Sequence, residues 1–99
     1  MDTKRTPNFY MANLGAEVSR ALSCRDSGDD VGLVNAIERS LGIIQNVMNF
    51  DEMKPREEEI KILRNVIEKL ADKSNFFYFK DGENLKNYFY PFALRMMIV

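Results

Sequence analysis

The sequence predicts an all-α domain: an antiparallel bundle of about four helices, the last short and kinked or broken at Pro91. Three observations carry this. Apolar residues recur at steps of three and four along three successive stretches, the spacing of one helical face. The breaks between those stretches hold residues that end one helix and start the next, Gly28-Asp29-Asp30 and Pro55. The last quarter, from Asn75 to Val99, holds eight of the eleven aromatic residues and can close a core that three short amphipathic helices leave open.

The first helix is expected from Asn8 to about Asp26, after a flexible leader of residues 1–7, with Thr6 as N-cap and Pro7 suited to the first turn. Tyr10, Met11, Leu14, Val18, Ala21 and Leu22 form its apolar face, and Asn13, Glu17, Arg20 and Cys24 an adjacent polar strip. Gly15 is unfavourable in a helix by about 1 kcal/mol relative to alanine, which points to close helix–helix approach. Gly28 suits a left-handed C-terminal cap, and Asp29 or Asp30 can cap the second helix, expected from Val31 to Asn49. The apolar set of that helix is read as Leu33, Val34, Ile37, Leu41, Ile44 and Met48. So short a connection makes the two helices antiparallel neighbours.

The third helix is expected from Pro55 to Lys73, with Pro55 at its first position and Glu57, Glu58 and Glu59 complementing the helix dipole. Ile60, Leu63, Ile67 and Leu70 form its seam, which Ile62 and Val66 widen. Glu57–Lys61 and Arg64–Glu68 are pairs at four-residue spacing. Phe76–Phe79 suits either a helix end or a short strand, and the lack of an evident partner strand favours a helix end followed by a turn at Lys80-Asp81-Gly82. A fourth helix then starts near Glu83 or Asn84, with Leu85, Tyr88, Phe89, Phe92, Ala93 and Met96 in helical period as a lid over the core. Pro91 interrupts it by removing a hydrogen bond to the Asn87 carbonyl.

Composition bounds the function. Ninety-nine residues, 45% hydrophobic and 29% charged, make one globular domain spanning 1–99. There is no histidine, so Ser–His and Cys–His catalysis and histidine-containing zinc sites are excluded. One cysteine, Cys24, allows no intramolecular disulfide and fits a reducing compartment, although neighbouring Arg25 has the charge to lower a thiol pKa. The net charge of -1 argues against a nucleic-acid surface unless folding gathers Arg20, Arg25, Arg39 and Lys86 into one patch. No apolar run has the length of a signal peptide or a membrane span, and the chain reads as cytoplasmic with no membrane partner. Phosphate-binding loops, EF-hands and nucleophile elbows are absent, so no catalytic residue, metal ligand or cofactor is expected.

Asn13-Leu14-Gly15, Gly28-Asp29 and Ala36-Ile37-Glu38-Arg39-Ser40-Leu41 together resemble one tetratricopeptide-type αα-hairpin over residues 13–41. The resemblance implies a helical hairpin. It departs from the family in the long separation of Leu14 from Gly28 and in having no second copy. With its Met11–Gly15 helix and its Tyr88-Phe89-Tyr90 ending, the chain also resembles small uncharacterised all-helical bacterial proteins. Ribonuclease toxins of the HEPN type are small helical bundles too, but their chemistry needs a histidine that this chain lacks.

The expected function is a non-enzymatic protein–protein interaction module that self-associates, with a homodimer as its natural form. The candidate interface is Phe76, Phe77, Tyr78, Tyr88, Tyr90, Met97 and Ile98, because large apolar groups beyond the needs of a core mark contact surfaces. Asn13, Glu17, Arg20 and Arg39 form a candidate polar pocket. The alternative is a regulatory or antitoxin-like helical domain that binds nucleic acid or nucleotide.

Overall fold

The computed structural model describes residues 6–72 and 84–91. Helix α1, Pro7–Ser27, opens as its sequence requires: Thr6 is extended and its hydroxyl accepts from the Phe9 amide at 3.1 Å, while Pro7 occupies a position where no amide is needed. It closes at Gly28, which takes the left-handed conformation at φ 80° and ψ 17°. One residue later Asp29 starts α2, Asp30–Met48, by accepting the Gly32 amide at 2.9 Å. Two residues thus turn the chain back on itself.

Glu17 and Arg39, equidistant from Gly28 along the chain, meet across the hairpin at 3.0 Å. Near its open end Tyr10 of α1 lies 5.8 Å from Phe50 just beyond α2, measured between ring centroids. Only an antiparallel pair satisfies both contacts. On α1 the predicted face is the observed one: Met11, Leu14, Val18, Ala21 and Leu22 are buried, and Tyr10 packs at their edge. Each of the larger side chains, Met11, Leu14, Val18 and Leu22, contributes about 1.5–3 kcal/mol of transfer free energy when fully buried.

On α2 the buried face is turned from the expected one. Leu33, Ile37 and Ile44 are core residues, but Val34 is 47% exposed and Leu41 and Met48 are only half-buried. Ala36, Ser40 and Val47 take the inner positions. Small residues there let α1 approach closely. Fully buried Ser40 satisfies its hydroxyl by donating to the Ala36 carbonyl at 2.8 Å.

Pro55 does not begin the third helix. It lies inside a 3₁₀ helix, Asp51–Arg56, that tucks Met53 into the core. Proline has no amide to give to the ladder, and Arg56, at φ -105° and ψ 12°, is not α-helical, so α3 runs from Glu57 to Lys69. The three glutamates occupy its first turn, and Ile60, Leu63, Ile67 and Leu70 are buried as predicted. Lys61 reaches Glu57 at 3.4 Å, whereas Arg64 and Glu68 do not pair.

A fourth helix, α4, includes residues 84–91 and packs its Phe89 into the core. Leu85 and Tyr88 cover the margin, as a lid should. Pro91 is the last described residue of α4, so the expected kink or break, together with Phe92, Ala93 and Met96, lies outside the described residues. The described residues form an all-α bundle with no strand.

Candidate functional site

Two regions of the fold gather the predicted site residues. The first lies on the polar flank of the α1–α2 hairpin. Glu17 Oε1 accepts from Arg20 Nη1 at 2.8 Å, one turn along α1, and from Arg39 Nε at 3.0 Å, across on α2. Burial alone raises the Glu17 pKa, but the hydrogen bonds and charges of Arg39 and Arg20 outweigh it and hold the carboxyl below its ordinary 4.5. Asn13 is not part of this cluster; its side-chain amide donates to the Phe9 carbonyl at 3.0 Å. With one carboxylate oxygen shared between two guanidinium groups, the cluster is a clamp between helices. Both arginines are about half exposed, which limits each pair to roughly 0.2–1 kcal/mol.

At the hairpin turn the Cys24 thiol donates to Asp29 Oδ2 at 3.8 Å. Desolvation first, then the Asp29 charge and hydrogen bond, push the thiol above its ordinary range. The neighbouring Arg25 does not lower it. A thiol facing a carboxylate is a poor nucleophile, because only the thiolate attacks.

The second region is the junction of α3 and α4. Arg56 grips Glu59 with two hydrogen bonds, Nε to Oε1 at 3.1 Å and Nη2 to Oε2 at 2.7 Å. The Tyr88 hydroxyl donates to the same Glu59 Oε2, and Arg56 Nη2 lies 3.4 Å from that hydroxyl. Arg56 foremost, then Tyr88, hold the Glu59 carboxyl below its ordinary value against the opposing effect of burial. Tyr88 is pushed well above its ordinary 10.0, by burial first and then by Glu59. This trio fastens α4 to α3 from the polar side, and Phe89 fastens it from the apolar side.

Beside the trio lies an open cleft of about 470 Å³, lined by Ile62, Leu63 and Val66 of α3 and by Leu85 and Tyr88 of α4. Its walls are mostly apolar, with Glu59 and Asn84 among the polar lining. Ile62 is 64% exposed and Tyr90 62% exposed. Of the predicted interface residues, Tyr88 therefore lies in the cleft wall, occupied by its bond to Glu59, and Tyr90 stands outward. Phe76, Phe77, Tyr78, Met97 and Ile98 lie outside the described residues.

The sequence places Glu59 among the first-turn glutamates without pairing it to Arg56, although the three-residue spacing is a signal for that pair, and it makes Ile62 and Val66 a widening of the seam. Among the described residues no three of histidine, cysteine, aspartate or glutamate cluster closely enough to hold a metal, and no helix is long and apolar enough to cross a membrane. No protein-family model matches this chain, and no similar curated protein or solved structure was found.

Proposed function

We propose that this protein is a non-enzymatic helical interaction module that self-associates through its aromatic C-terminal quarter and the α3 surface beside it. The observation that carries this reading is the apolar cleft between α3 and α4, in whose wall Ile62 is left largely exposed. Water contact with contiguous groups of this kind is unfavourable, and a docked protein surface removes it. The chemistry of the chain supports a binding role: it has no histidine, and desolvation first, then Asp29, hold its one thiol above its ordinary range.

The alternative, a regulatory domain that binds nucleic acid or nucleotide, needs unengaged cations. Arg20 and Arg39 instead converge on Glu17, and Arg25 reaches the Asp72 carbonyl at 3.5 Å. Size-exclusion chromatography with light scattering tests the proposal. A dimer is expected at micromolar concentration; a monomer at high concentration that also ignores candidate partners would sink it.

A further inference from the structure

We infer that the second copy docks antiparallel along the outer stripe of α3, with Ile62 and Val66 at the centre and Glu58 facing the other copy's Lys69 at each end. This rests on the self-association reading and specifies its surface. Ile62 is the large apolar residue of α3 left mostly in solvent, and half-buried Val66 lies one turn further on. Both also line the cleft beside α4.

Glu58, Ile62, Val66 and Lys69 follow one another at helical spacing, so the stripe has an acid at its start, apolar groups in its middle and a cation at its end. A two-fold axis between antiparallel helices maps the start of one stripe onto the end of the other. The stripe is therefore complementary to itself. A parallel pairing instead sets Glu58 against Glu58 and Lys69 against Lys69. Both charges are available for such a contact: the Glu58 side chain is 87% exposed and only grazes Lys61 at 3.6 Å, and exposed Lys69 has no ion pair among the described residues.

Sedimentation equilibrium on the full chain tests this with five proteins: wild type, Ile62→Arg, Glu58→Lys, Lys69→Glu and the double variant Glu58→Lys/Lys69→Glu. Wild type should dimerise, and Ile62→Arg should weaken the dimer by about a hundredfold, because a charge then sits at the desolvated centre. Each single reversal should weaken it about tenfold by placing like charges at both ends, and the double variant should return to within about threefold of wild type. Positions 58 and 69 lie roughly 16 Å apart along one helix, so the rescue cannot arise within a chain. Circular dichroism should show the same helix content throughout, since the substituted side chains are exposed. A monomeric wild type overturns the self-association reading and this inference together. A dimer that tolerates Ile62→Arg, or that the double reversal does not restore, overturns only the antiparallel α3 contact and leaves self-association through another surface.

Discussion

Gly15 of α1 lies directly against Phe89 of α4. A Cβ built on Gly15 falls 2.6 Å from Phe89 Cβ and 2.9 Å from its Cγ, closer than real side chains approach. The glycine is the notch that admits the one α4 aromatic buried in the core. This contact and the Tyr88–Glu59 bond hold the described part of α4 in position.

Gly15→Ala should therefore destabilise the fold although alanine is the better helix former. The propensity gain is about 1 kcal/mol, and overpacking against an atom next to the α4 backbone costs about 1–3 kcal/mol. Gly42 is the control: nothing lies within 4 Å of a Cβ there, and Gly42→Ala should stabilise by about 0.5–1 kcal/mol. Urea denaturation of the two variants should give shifts of opposite sign.

The Arg56–Glu59–Tyr88 trio predicts a pH dependence at both ends of the scale. Glu59, and likewise Glu17, has a folded pKa below 4.5, so its contribution is present above that value and lost as pH falls through the folded pKa. Glu59→Gln should cost up to about 1 kcal/mol at neutral pH, and its difference from wild type should narrow below pH 4.5. Tyr88 has a folded pKa raised above 10.0, so its contribution is present below that value and declines at higher pH; Tyr88→Phe should lack this alkaline loss. Thermal melts across pH check both limbs.

Cys24 should be alkylated more slowly than a free cysteine at the same pH, because its thiolate is disfavoured. Asp29→Asn removes the facing charge yet keeps a good N-cap for α2. The variant should stay folded and react several-fold faster with iodoacetamide. Equal rates would show that Asp29 does not control the thiol.

The turned face of α2 makes a fourth prediction. Val34→Ala should change stability by no more than about 0.5 kcal/mol, as surface substitutions do. Ile44→Ala should cost about 2–5 kcal/mol, and Ser40→Leu about 1–3 kcal/mol through overpacking against α1. Chemical denaturation of the three variants separates the outcomes.

The sequence by itself determined the all-α class, the caps at Thr6 and Gly28, an aspartate cap for α2 at Asp29 or Asp30, and the buried faces of α1 and α3, because each depends on residues a turn or two apart. It also marked Gly15 as a place of close approach, without saying what approaches. On α2, two sets of positions share a helical period, and alanine and serine give too weak a hydrophobic signal to choose Ala36 and Ser40 over Val34 and Leu41. The position of α1 made that choice. Tertiary structure alone likewise joined Glu17 to Arg39, Glu59 to Tyr88 and Gly15 to Phe89, and left Ile62 in solvent. Local periodicity fixes which stripe of a helix is apolar; only the packing of distant helices decides how much of that stripe is covered.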